Sequence, residues 1–131
     1  MIVDTSAWIE FLRGTGSRSD LALQQAFKNA SAIWIPEVVY REVLQGAGNV
    51  AHFIQLQTAL DELAHYVSSD SYELARSASL LYAQCRWRGI TIRSPNDCLI
   101  AACAIEAEVP LLHADRDFLT LASIDKRLKL I

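Results

Sequence analysis

The tightest constraint on this chain is spacing: short apolar runs recur between helical patterns far too long to be hairpin loops. Ile2-Val3 and Ser31-Ala32-Ile33-Trp34-Ile35 read as buried strands, with Tyr66-Val67, Leu111-Leu112 and Leu128 to Ile131 as weaker ones. Strands separated in this way pair in parallel through right-handed crossovers, which predicts a three-layer α/β/α sandwich around a central parallel sheet. The intervening helices carry their own start and stop signals. Residues 5–13 end before Gly14, and 20–29 begin at a capping Asp20. Pro36, at a first helical position, opens a segment that stops at Gly46. Residues 50–63 and 70–88 place apolar side chains every three or four positions, and Ser94-Pro95 opens a last helix running to about Ala107. No repeat or Pro/Gly/Ser-rich linker divides the 131 residues, so a single domain over 1–131 is expected.

Composition narrows the functional classes. The chain is 52% hydrophobic, yet no apolar stretch approaches the roughly 20 residues that span a bilayer. Nor is there a charged-then-apolar leader, so a cytoplasmic protein with no membrane partner is expected. Leu21-Ala22-Leu23, Ala26-Phe27 and the set Phe53, Ile54, Leu56 and Leu60 offer more apolar surface than one small core needs, which suggests an interface. Cys85, Cys98 and Cys103 are odd in number, lack CxxC spacing and lie in apolar helical patterns, as reduced core thiols do. A net charge of −3 argues against a general nucleic-acid coat and leaves room for a local acidic site.

Four acids fit such a site. Open parallel sheets bind ligands beyond the carboxyl ends of their strands, where strand order reverses. Asp4 follows the Ile2-Val3 strand, and Asp115 follows Leu111-Leu112. Asp97 stands three residues after Ser94, one turn into its helix, and Glu42 interrupts an apolar stripe of Val38, Val39, Val43 and Gly46. Each has a purely structural alternative: Asp4 as a helix cap, Asp97 in a capping box with Ser94, Asp115 capping a short turn, Glu42 paired with an arginine. Their convergence on one edge, without a matching basic set, points to a divalent cation, because crowded carboxylates repel unless neutralised. Carboxylate oxygens suit Mg2+ or Mn2+. His52, His65 and His113 show no paired spacing, so zinc is not expected.

The ordered set of hydrophobic-Val-Asp-Thr-Ser at the start, Glu42 in mid-helix, Ser-x-x-Asp heading an Ala-rich helix and Leu-Leu-x-x-Asp-x-Asp-Phe near the end resembles the PIN domain over nearly the whole chain. It is most similar to the VapC ribonuclease toxins of VapBC toxin-antitoxin pairs. The resemblance implies a PIN-like sheet of order 3-2-1-4-5, with Asp4 beside Asp115. It implies that Asp4, Glu42, Asp97 and Asp115 are the catalytic, metal-holding acids, with Asp117 as an auxiliary ligand and Ser6 as polar support for Asp4. One or two Mg2+ or Mn2+ ions would then serve hydrolysis of RNA phosphodiester bonds by activated water. A VapB-like antitoxin and a symmetric homodimer are implied partners. His113 departs from the family, which often has Thr or Ser there.

RNA contacts are suggested by Arg86-Trp87-Arg88 and Arg93 just before the Asp97 helix, with Arg13, Arg18 and Arg116 as further phosphate contacts. The alternative is a solvated helix end with Trp87 in the core. Two other functional classes compete. Aspartyl phosphotransfer from Asp4 would want a second acid two residues on, where Ser6 stands. A non-catalytic protein-binding module would use the acids only as caps.

Overall fold

The computed structural model describes all 131 residues. Strand β1 (Ile2–Val3) is followed by helices α1 (Thr5–Arg13) and α2 (Arg18–Lys28), then β2 (Trp34–Pro36), α3 (Glu37–Gln45), α4 (Val50–Asp61) and β3 (Ala64–Tyr66). Helices α5 (Ser71–Trp87) and α6 (Pro95–Glu106), strand β4 (Leu111–Leu112) and helix α7 (Asp117–Ile124) complete the chain. The sheet is parallel, in the order β3-β2-β1-β4.

Right-handed crossovers fix which helices lie on which face. The steps from β1 to β2 and from β2 to β3 run one way along the sheet and put α1 to α4 on one side. The long return from β3 to β4 runs the other way and puts α5 and α6 on the opposite side, where α7, after β4, packs against them. Packing agrees: α1 meets α2 and α3, whereas α5, α6 and α7 pack together. Strand order therefore reverses between β1 and β4, which is where a parallel sheet leaves a crevice at its carboxyl edge.

A sheet buried on both faces needs apolar strands, and Ile2, Val3, Leu111 and Leu112 of the neighbouring β1 and β4 are almost completely buried. They belong to one cluster of 29 buried apolar residues that includes Cys85, Cys98 and Cys103, all free thiols. No helix is long and apolar enough to cross a membrane.

The structure corrects several expectations. The sheet has four strands rather than five: of Leu128 to Ile131, only Leu130 forms a parallel bridge, to Leu111. That segment leaves a turn in which the Leu128 N–H donates to the Asp125 carbonyl, so little of it runs beside β4. Pro36 pairs with Tyr66 as the last residue of β2, and α3 starts one residue later, at Glu37. Ser17, not Asp20, caps α2, and its hydroxyl accepts the Asp20 N–H. Helix α7 lies where a short turn was expected. Trp87 is 74% exposed, which removes it from the core. The surplus apolar set divides: Leu23, Ala26, Leu56 and Leu60 are buried, whereas Leu21, Phe27, Phe53 and Ile54 face solvent.

Candidate active site

Asp4 is placed by β1. Its N–H donates to the Leu112 carbonyl at 2.8 Å, so the end of β1 is tied to the end of β4. The carboxylate turns into α1, where Oδ2 accepts the Ser6 N–H at 2.8 Å and also the Ser6 hydroxyl. The capping expectation for Asp4 is thus met in the same residue that faces the crevice. Ser6 does more than support Asp4. Its Oγ accepts the Ala114 N–H at 2.9 Å, which pins the loop after β4 against the start of α1.

Asp115 lies three residues beyond β4, and Asp117 is the first residue of α7. The Asp117 N–H donates to Asp115 Oδ1 at 3.0 Å, a local turn that sets the two carboxylates side by side. Asp97 completes the group from α6, with an oxygen of each of the three acids within 4.8 Å of the others. Ser94 makes no side-chain cap to this helix, so the capping-box alternative for Asp97 is not formed. The charges felt by the Asp97 carboxylate are those of acids: Asp4, Asp115, Asp117 and Glu42.

Glu42 reaches the crevice from α3 on the other face of the sheet. No arginine meets it. The Thr5 hydroxyl and Asn96 Nδ2, the latter at 2.8 Å, donate to its two oxygens and join α3 to the start of α6 over the top of the sheet. Thr5 and Asn96 had no role in the sequence reading. Their signal was only adjacency to Asp4 and Asp97.

The electrostatics follow from this packing. Burial pushes Asp4, only 3% exposed, up to about 6, against the lowering effect of its hydrogen bonds from Ser6. Burial first, then the neighbouring acids, pushes Asp97 up to about 7. Both carboxyls hold protons in the folded state over a range where the unfolded chain has lost them. Without metal, the stability these two groups contribute is greatest near pH 4 and declines as pH rises through about 7. The expected result is a melting temperature in EDTA that falls between pH 5 and pH 8 by calorimetry; a rise over that interval would contradict the crowding.

One positive group sits on the cluster, and it belongs to the chain. Arg93 contacts both Asp115 and Asp117. Arg13, Arg18, Arg86, Arg88 and Arg116 are exposed and form no ion pair, as is Trp87 beside Arg86 and Arg88. His113 Nδ1 lies 2.7 Å from the Asp115 carbonyl oxygen, and its ring packs on Phe118. The donor set suits a hard divalent cation: carboxylate oxygens only, one of them without a donor, and no histidine or thiolate among them.

Comparison with known proteins agrees with this architecture. The PIN domain family model matches residues 1–124. VapC ribonuclease Mb1587 of Mycobacterium bovis and ribonuclease VapC11 of Mycobacterium tuberculosis are each 34% identical over 125 residues, covering 95% of this chain and 92% of theirs. Among solved structures, VapBC-1 from nontypeable Haemophilus influenzae superposes with a TM-score of 0.76 at 12% identity, covering 99% of this chain and 95% of that one. VapBC2 from Rickettsia felis, bound to a DNA fragment from its promoter, gives 0.70 at 20% identity, with 99% and 96% covered. The chain belongs to the PIN domain family and groups with its VapC members.

Proposed function

We propose that this chain, acting as one domain over residues 1–131, is a metal-dependent endoribonuclease and the toxin of a toxin-antitoxin pair. The observation that carries the reading is the convergence of Asp97 with Asp115 and Asp117, an oxygen of each within 4.8 Å of the others, at a half-buried place where Asp97 accepts no side-chain hydrogen bond. Arg93 offsets part of the charge on Asp115 and Asp117, but Asp97 is left to be neutralised by a proton or by a bound cation.

Asp4, Asp97 and Asp115 would hold one or two Mg2+ or Mn2+ ions, with Asp117 as a further ligand. Bound there, the cations supply an activated water and a positive clamp on the phosphodiester. Glu42, fixed by Thr5 and Asn96 through one oxygen each, would use its remaining lone pairs to ligate a cation or to orient water. Ser6 holds Asp4 and, through Ala114, keeps the Asp115 loop in place. Attack on phosphorus by water, with the P–O3' bond breaking and the 3'-oxygen leaving, would give a 5'-phosphate and a 3'-hydroxyl, whereas attack by the ribose 2'-hydroxyl would give a cyclic phosphate.

RNA would lie along the rim, with Arg86, Arg88 and Arg116 on phosphates and the exposed Trp87 ring stacked on a base. The exposed Leu21, Phe27, Phe53 and Ile54 suit a VapB-like antitoxin and a homodimer, and the protein would act in the cytoplasm. The test is cleavage of total cellular RNA in Mg2+ or Mn2+, with new ends mapped by sequencing. Cuts should appear with metal and vanish in EDTA. The same cuts in EDTA would reject metal-dependent hydrolysis, and no cuts at all would favour the binding module.

A further inference from the structure

Arg93 was expected on the RNA-facing rim, yet it is folded onto the acids. Its backbone N–H and its Nε both donate to Asp117 Oδ2, at 3.1 and 3.3 Å, and Nη2 donates to Asp115 Oδ1 at 2.5 Å. The guanidinium therefore covers two of the three carboxylates whose oxygens converge, and leaves Asp97 alone.

We infer that Arg93 is the internal counter-ion of the site: it occupies Asp115 and Asp117 until a divalent cation claims Asp115, and is then handed to a phosphate of the RNA. This rests on the nuclease reading above. Two facts make the exchange feasible. The arginine side chain is 66% exposed, so its ion pairs are weak and readily given up. The backbone bond from Arg93 to Asp117 does not depend on the guanidinium, so the released side chain stays rooted at the crevice edge. Beside it lies an open hollow of about 330 Å³, lined by Ser6, Ile9, Glu10, Ala114, Arg116, Arg93 itself and Asp115, whose charge the bound cation would offset. A phosphate seated there would meet Arg93 and Arg116 together.

A dication and a guanidinium cannot share the Asp115 oxygen without repulsion, so removing the guanidinium should tighten cation binding. At separations near 5 Å in a wet crevice the expected gain is about fivefold to tenfold at moderate salt. The experiment titrates Mn2+ into the full chain by calorimetry, comparing wild type, Arg93→Ala and Arg93→Gln. Glutamine keeps a donor for Asp117 without the charge, so it separates the electrostatic effect from loss of the loop. Both variants should bind Mn2+ about fivefold to tenfold more tightly. Equal or weaker binding by both overturns the inference while wild-type binding leaves the nuclease reading standing. No Mn2+ binding by wild type overturns both. In parallel, binding of a short mixed-sequence single-stranded RNA is followed by anisotropy. Arg93→Ala should weaken it several-fold in Ca2+, where the guanidinium would be free to meet phosphate. Unchanged affinity in Ca2+ overturns the transfer to phosphate, and the proposal with it.

Discussion

Asp97→Asn is expected to lower RNA cleavage by about a hundredfold to a thousandfold, the scale of losing one preorganised electrostatic contact. The same change is expected to raise the melting temperature of the metal-free protein. Asparagine preserves the shape of the side chain and removes one charge from a group that Asp4, Asp115, Asp117 and Glu42 all oppose. Relief of about 1 kcal/mol would lift the melting temperature by about 2 to 5 °C in a chain of this size. If Asp97 served only as an acid in the first turn of α6, its loss would weaken the helix and the melting temperature would fall. The direction of the shift therefore decides between the two roles, independently of any activity assay. Added Mn2+ should then reverse the ranking, since a cation that binds only the folded state stabilises it by mass action, and the variant has lost a ligand. Calorimetric melts of both proteins in EDTA and in millimolar Mn2+ supply all four numbers.

This site was legible in the sequence to the extent that strands announce where they stop. Ile2-Val3 and Leu111-Leu112 are short, wholly apolar and each followed by an acid, so a parallel sheet alone carries Asp4 and Asp115 to the same edge. Glu42 was visible because a carboxylate on an apolar stripe is costly. Its partners were not visible: Thr5 and Asn96 are ordinary polar residues until the fold brings α3 against the start of α6.

The motif Ser-x-x-Asp shows how far local pattern misleads. It occurs at 17–20 and at 94–97. At the first site Ser17 accepts the Asp20 N–H, and the fully buried Asp20 carboxylate reaches back to the Gly16 N–H at 2.8 Å. At the second, Ser94 makes no side-chain cap and Asp97 turns to the crevice. Identical spacing, different outcome: what differs is the set of charges across the gap, which no window of four residues contains. Strand β3 and helix α7 were obscured for related reasons. Ala64 and His65 are exposed and give β3 no clean apolar signal, while α7 is short and its first residue closes the run Asp115-Arg116-Asp117, which reads as a turn.

Helix α7 nevertheless supports the site, and Phe118→Ala is expected to cost about 3 to 5 kcal/mol. Phe118 and Leu121 are completely buried and anchor the helix whose first residue is Asp117. The Phe118 ring packs on His113, their centroids 5.4 Å apart, while His113 contacts the Asp115 carbonyl. One aromatic side chain thereby fixes the loop from the helix side as Ser6 fixes it from the β1 side. Against a total of about 5 to 15 kcal/mol for a typical domain, the loss is large enough to show plainly in a urea melt. Phe118→Leu refills much of the volume and should cost about 1.5 kcal/mol or less. If the acids share a cation as proposed, they must stand in register, and Phe118→Ala should also weaken Mn2+ binding in whatever fraction remains folded. A loss below about 1 kcal/mol, with Mn2+ affinity unchanged, would mean that hydrogen bonds alone hold the Asp115 loop and that the packing beneath it is incidental.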